Sequence, residues 1–136
     1  MKKNLLTVII EKTHTGFSCY AKEENGLIAV GDSIQELKNN FNEALYHEIE
    51  YQNEINKTNK KITDYEINYV LDIQQFFEYF KVINKTAFAE DYLNINKSLF
   101  RQYTKGLAPL SDKKLLDISQ GLHKLADEIT DITLAV

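Results

Sequence analysis

The first seventy residues contain four short apolar segments of strand length, with one helical stretch before the last of them. Leu5 to Glu11 (LLTVIIE) is rich in β-branched residues and predicts a strand, and Phe17 to Glu23 predicts a second. Asn25-Gly26 is a strong hairpin signal, after which Leu27 to Val30 predicts a third strand. These thirty residues therefore predict a three-stranded meander.

A helical pattern follows the meander. Ser33 to Glu36 reads as a capping box, in which Ser33 caps the helix and Glu36 reaches back. The next apolar residues stand at helical spacing and predict a helix to about Tyr51; they are Ile34, Leu37, Phe41, Ala44, Leu45 and Ile49. Gln52 to Lys61 predicts a loop, and Tyr65 to Asp72 predicts a fourth strand. The predicted order is β-β-β-α-β, one sheet with one helix across it.

From Ile73 onward the hydrophobic period is helical throughout. The first helix is marked by Ile73, Phe76, Phe77, Phe80 and Ile83. Ser111 predicts the cap of a last helix, whose apolar stripe is Leu115, Ile118, Leu122, Leu125 and Ile129. Gly121 within that stripe indicates close packing or a bend. The sequence thus predicts an α+β protein with two modules, residues 1–72 and 73–136.

Between those helices lies a pair of short helices joined by a tight turn. The first is predicted from about Thr86 to Leu93, and Ala89 is small enough for close approach of its partner. Asn94 tolerates the left-handed conformation that the turn needs, and Ile95 is its apolar plug. Asn96 is a good N-cap for a helix from Lys97 to Lys105, which Gly106 can end.

The second helix of this pair has an apolar side and a basic side. Leu99, Phe100 and Tyr103 lie on the apolar side. The candidate DNA-binding residues are Asn96, Lys97, Ser98, Arg101, Gln102 and Lys105. Arg101 and Gln102 are expected to contact base edges, and Lys97 a phosphate. The alternative interpretation is an ordinary amphipathic helix hairpin with a solvated basic face.

Charge is divided unevenly along the chain. The net charge is −4, but residues 1–80 carry 8 Lys against 13 Asp and Glu, a balance of −5. Residues 81–136 carry 8 Lys and Arg against 7 Asp and Glu, a balance of +1. This asymmetry favours a cationic partner for the first half and nucleic acid for the second.

Residues for catalysis or metal binding form no recognisable constellation, so no catalytic residue, metal ligand or cofactor is predicted. His14, His47 and His123 are dispersed, and the i, i+4 pairs that two of them form with carboxylates lack further ligands. Cys19 lies on the apolar face of a strand and is interpreted as a small hydrophobic residue. The lack of such a constellation favours a non-enzymatic protein. A single cysteine, no secretory signal and no membrane-length apolar segment favour a cytoplasmic one.

Four segments resemble the HicB family of antitoxins with a C-terminal Cro/repressor-type helix-turn-helix. They are VIIEKTHTGF (Val8–Phe17), GDSIQELKNNFNEAL (Gly31–Leu45), AFAEDYLNINKSLFRQYTKG (Ala87–Gly106) and LSDKKLLDISQGLHKLADEI (Leu110–Ile129). The resemblance implies that Asn96 to Lys105 is the recognition helix. It also implies the antitoxin of a type II toxin-antitoxin pair, which neutralises a small basic ribonuclease toxin and represses its own operon by binding operator DNA.

One segment departs from the family pattern. HicB-family members carry a Pro-Asp-x-Pro-Gly-like segment where this chain has Ala21 to Gly26 (AKEENG). The alternative is therefore an orphan DNA-binding regulator without a toxin, and a third is an interaction module whose helical half only oligomerises. One helix-turn-helix contacts few base pairs, so we expect a homodimer or tetramer formed by the last helix with its apolar tail or by a sheet edge.

Overall fold

A computed structural model describes residues 3–136 and divides the chain into two compact units. Unit 1 is Met1–Asp72 and unit 2 is Ile73–Val136, so the division falls where the hydrophobic period changes. Unit 1 contains the sheet and unit 2 is helical. The predicted α+β class is confirmed.

Unit 1 is a four-stranded sheet with one long helix. Its strands are β1 (Asn4–Lys12), β2 (Phe17–Ala21), β3 (Ile28–Gly31) and β4 (Tyr65–Leu71), in the order β3-β2-β1-β4. The first three strands form the predicted antiparallel meander, and β4 pairs parallel to β1. Parallel neighbours need a crossover connection, which contains helix α1 (Ile34–Asn56) and a 3₁₀ turn (Ile62–Asp64).

One face of this sheet packs against α1. The buried residues of this core are Leu6, Val8, Ile10, Phe17, Cys19, Ala21, Leu27, Leu37, Phe41, Leu45 and Ile49. Within the strands these residues occupy alternate positions, as a sheet with one covered face requires. Cys19 is among them, which confirms its interpretation as a small hydrophobic residue.

Helix α1 continues beyond the predicted end near Tyr51. It reaches Asn56 and ends at Lys57, whose φ is 53° and whose N–H donates to the Asn53 carbonyl. Gln52 was expected in a loop, but its side chain donates to Glu48 one turn earlier, at 3.0 Å. The prediction was wrong here because polar side chains on an exposed helix give no apolar period. The predicted cap is present: Ser33 accepts from the Glu36 N–H, and Glu36 accepts from the Asp32 N–H.

Unit 2 consists of short helices. They are α2 (Ile73–Tyr79), α3 (Lys85–Phe88), a π-helical turn (Ala89–Leu93), α4 (Lys97–Thr104) and α5 (Asp112–Ile129). Helix α2 ends before the predicted Ile83. The first helix of the predicted pair is also not uniform, because the Ala89 carbonyl accepts from the N–H groups of Asn94 and Ile95. These longer bonds widen its second half into the π turn.

Three phenylalanines hold the short helices of unit 2 together. The Phe100 ring of α4 lies 5.3 Å from that of Phe77 and 5.9 Å from that of Phe88, measured between ring centroids. All three side chains are buried, and Phe100 is fully so. Helices of four to eight residues bury little surface by themselves, so these rings supply much of the apolar area that stabilises the unit.

Helix α5 packs on the same core through the middle of its predicted stripe. Ile118 is buried, whereas Leu115 and Ile129 at the two ends are exposed. A Cβ on Gly121 would lie 2.6 Å from Leu93 Cδ2, so this glycine marks close packing. Ser111 caps the helix by accepting from the Lys114 N–H, as predicted.

Candidate nucleic-acid interface

The turn between α3 with its π turn and α4 has the geometry that its sequence predicts. Asn94 is left-handed, with φ of 52°, and Ile95 beside it is buried. Asn96 Oδ1 accepts from the N–H groups of Ser98 and Leu99, at 2.8 and 3.3 Å. Gly106, with φ of 72°, follows α4 in the predicted left-handed conformation. Local contacts thus fix the turn between the two helices and the start and end of α4.

Helix α4 is anchored through one side. Phe100, Tyr103 and Thr104 are buried, and the Thr104 hydroxyl donates to the Arg101 carbonyl at 3.1 Å. Leu99, which the sequence places on the apolar side of the helix, is 38% exposed. It lies at the margin of the buried stripe that Phe100, Tyr103 and Thr104 form. The helix presents its opposite side to solvent.

All six candidate DNA-binding residues are exposed. They are Asn96, Lys97, Ser98, Arg101, Gln102 and Lys105. Apart from Asn96, which caps the helix, these side chains provide three cations, one amide group that can donate and accept, and one hydroxyl. Because Asn96 Oδ1 accepts the first amides of α4, only its Nδ2 group is left to contact a ligand. The surface formed by the other five residues matches the donors that nucleic acid binds.

Further cationic residues, which the sequence did not single out, lie beside Arg101. Lys81, Lys85 and Arg101 line a shallow depression of about 440 Å³ together with Glu78, Asn84 and Thr86. Arg101 Nη2 donates to Thr86 Oγ1 at 3.1 Å. No sequence pattern signals this contact, since its partners are fifteen residues apart on different helices. We call these six residues the basic depression.

Within residues 3–136, no group of three His, Cys, Asp or Glu side chains could hold a metal ion. His47 Nε2 lies 3.9 Å from Glu43 Oε1 on an exposed face of α1. Burial raises the pKa of the Cys19 thiol to about 11, so it stays protonated at neutral pH. Protonated thiols are weak nucleophiles. Cys19 therefore has the properties of a core residue.

The second surface of interest is the sheet face of unit 1 that α1 leaves uncovered. Ile28, Tyr20, Ile9 and Val70 stand opposite one another and form one row across all four strands. Leu5 and Val30 are exposed on the same face. Its charged strand residues are the carboxylates Glu11 and Glu66. We call this surface the open face; large exposed apolar patches are typical of binding surfaces.

Comparison with protein-family models, with curated proteins and with solved structures gave no match. Among the residues that the structure describes, no helix has the length and apolarity to cross a membrane.

Proposed function

We propose that this protein is a DNA-binding transcriptional regulator and that α4 is its recognition helix. The observation that carries the proposal is the arrangement of α4. Phe100 anchors the helix on the rings of Phe77 and Phe88, while its cations and Gln102 stay exposed. A helix held rigidly on one side and rich in donors on the other suits the DNA major groove.

The charges around α4 support the same proposal. Lys81, Lys85, Lys97, Arg101 and Lys105 lie within 25 residues of sequence. Between Asp91 and Asp112 there is no acidic residue, so α4 itself carries no carboxylate. Cations that neutralise phosphates supply much of the affinity for DNA, through release of counterions. An ordinary amphipathic hairpin would not need this segregation of charge.

We also propose that unit 1 binds a small basic protein, as the antitoxin of a toxin-antitoxin pair would. The open face supports this second role, because an apolar row across four strands is flanked by the carboxylates of Glu11 and Glu66. A cationic partner would cover the apolar row and pair with those carboxylates. The orphan regulator stays the alternative, and it predicts no such partner.

We propose that the protein forms a dimer in addition to binding DNA, since Ile132, Leu134 and Val136 after α5 are exposed. A third alternative is that the helical unit serves only for this oligomerisation. Two recognition helices related by a two-fold axis would read half-sites about 34–36 Å apart. If unit 2 only oligomerises, the protein forms dimers but does not bind DNA.

A gel-shift titration tests the DNA proposal. The intact protein, at several salt concentrations, is mixed with the DNA immediately upstream of its own gene and with scrambled DNA of equal length. We expect tighter binding to the upstream DNA and a log K that falls linearly with log salt. Equal or absent binding to both, followed by failure to enrich any sequence from a random pool, would refute the proposal.

The open face is tested with the product of the neighbouring gene, if that gene encodes a short basic protein. We expect the two proteins to purify together and expect Ile9→Asp with Tyr20→Asp to abolish the complex. Tyr51→Asp is the matched control, because Tyr51 is exposed on α1 outside that face. A complex that survives the double change but not the control change would place the partner elsewhere.

A further inference from the structure

We infer that Arg101 binds a DNA phosphate in the basic depression and does not read a base. Thr86 holds the Arg101 side chain in position for this contact. This inference rests on the proposed DNA binding and refines it. It divides the exposed side of α4 in two, so that Arg101 positions the protein on the DNA and Gln102 supplies sequence choice.

The first step is the direction of the Arg101 side chain. Its Nη2 group donates to Thr86 Oγ1, 3.1 Å away on α3, so the guanidinium bends from α4 toward the neighbouring helix. An arginine that reads a guanine must extend along the groove to reach N7 and O6. Arg101 would have to break the Thr86 bond to do so. Gln102, the next residue, has an exposed side chain, and among residues 3–136 it forms no side-chain hydrogen bond with another element.

The Arg101 side chain bends into the basic depression, whose residues favour an anion. Lys81 and Lys85 line the same depression, so three cations share a shallow surface open to solvent. The carboxylate there, Glu78, already accepts from Gln74 Nε2 at 3.3 Å. Asn84 Oδ1 is likewise engaged, because it accepts from the Ala87 N–H at 3.0 Å. Three cations against the one carboxylate Glu78 give the depression an excess of positive charge, which suits an anion.

The third step is the number of donors that remain. A guanidinium has five N–H groups, and the Thr86 bond uses one of them. The remaining groups can donate in pairs to two oxygens of one phosphate, with a lysine ammonium on the same anion. A DNA phosphate beside the recognition helix is the ligand that this set of groups fits.

Three variants of the intact protein test the inference, by titration against the upstream DNA and scrambled DNA over a range of salt concentrations. Arg101→Ala should weaken binding to both DNAs about tenfold. It should also flatten the plot of log K against log salt by about one unit. The ratio of the two affinities should stay unchanged. Gln102→Ala should instead reduce that ratio, with the salt slope unaltered. Lys113→Ala is the charge-matched control, exposed on α5 outside the depression, and should change neither quantity.

Thr86 is a positioning residue in this account, and a double-mutant cycle tests it. Thr86→Val should reproduce part of the Arg101→Ala loss, and Thr86→Ser, which keeps the hydroxyl, should restore wild-type binding. Adding Thr86→Val to Arg101→Ala should cost nothing further. Full additivity of the two losses would show that Thr86 acts by itself and would overturn the positioning role.

The failure of this inference differs from the failure of the proposed function. If the wild-type protein binds DNA and Arg101→Ala lowers the affinity ratio, then Arg101 reads a base and only the inference is wrong. If Arg101→Ala leaves affinity and salt slope unchanged, the depression holds no phosphate. If the wild-type protein binds no DNA at all, the proposed function falls and the phosphate assignment falls with it.

Discussion

The cores of the two units are formed by different kinds of apolar residue. Unit 1 lays a long helix on a sheet, and its core is mainly aliphatic, with Phe41 at its centre. Unit 2 has helices of four to eight residues beside α5 and relies on the rings of Phe77, Phe88 and Phe100. Long regular elements provide enough aliphatic surface, whereas short helices need larger side chains to bury a comparable area.

The exposed surfaces of the two units differ as much as their cores. Unit 1 exposes an apolar row bordered by carboxylates, and unit 2 exposes cations on α4 and in the basic depression. The first surface favours apolar contact and the second favours an anion. If each unit has a ligand of its own, as we propose, a change in the core of one unit should leave the stability of the other unaltered.

The strongest test removes the central phenylalanine of each unit. Phe41→Ala and Phe100→Ala should each destabilise their own unit by about 3–5 kcal/mol, since both side chains are fully buried. Chemical denaturation followed by amide NMR signals can resolve the two units separately. Equal destabilisation of both units by either change would mean that the chain unfolds as one cooperative domain.

A smaller effect, again restricted to unit 1, is expected for Gly31→Ala. A Cβ at Gly31 would lie 2.5 Å from the Leu37 backbone nitrogen, and a backbone atom cannot move aside as a side-chain tip can. We expect a loss of about 1–3 kcal/mol in the free energy of unfolding of unit 1. Gly26→Ser, at a loop position with open space and φ of 83°, is the control for backbone strain without a clash. Unaltered stability in Gly31→Ala would contradict the close packing of α1 on β3.

Alkaline pH should lower the stability of unit 1 through Cys19. Burial raises the pKa of Cys19 from 9.0 to about 11, so above pH 9 the unfolded chain loses a proton that the folded chain keeps. The free energy of unfolding of unit 1 should then fall as pH rises from 9 to 10, by no more than about 1.4 kcal/mol per pH unit. Above pH 10 the buried Tyr69, whose pKa is also raised, adds a decline of its own. Denaturation of wild type and Cys19→Ala between pH 9 and pH 10 measures the effect of Cys19. The same decline in Cys19→Ala would show that another group is responsible.

The smallest predicted effect concerns Tyr69 of β4. Its hydroxyl oxygen is buried and has no hydrogen-bond partner in the described part of the chain, and burial raises the pKa of Tyr69 to about 12. Tyr69→Phe removes this unsatisfied group and keeps the ring, which packs edge-on against Phe41 at 6.1 Å. We expect unit 1 to gain about 1 kcal/mol and unit 2 to stay unchanged. Thermal unfolding measures it, and a loss of stability would mean that the hydroxyl has a partner in solution.

Local sequence signals predicted most elements of both units. β-Branched residues, a hairpin signal and alternation predicted the strands. The side chains at Ser33, Asn96 and Ser111 predicted where helices begin, because caps depend on one residue and its immediate neighbours. The turn residues Asn94 and Gly106 were predictable for the same reason. The polar end of α1 was not, since exposed polar residues show the same pattern in loops and in helices.

Contacts between residues distant in sequence were beyond prediction. The parallel pairing of β4 with β1 joins segments about sixty residues apart. The Arg101–Thr86 hydrogen bond depends on how two helices cross. Of the candidate site, the exposed residues of α4 were predicted, but the basic depression beside them was not.

The most direct test of DNA binding by unit 2 maps the contact on the intact protein. Amide NMR spectra are recorded with and without a duplex from the region upstream of the gene, at low salt. We expect chemical-shift changes confined to α3, the turn at Asn94, α4 and the basic depression, with the amides of the unit 1 sheet unaffected. Changes centred on the unit 1 sheet, or none anywhere in unit 2, would contradict the assignment of α4 as the recognition helix.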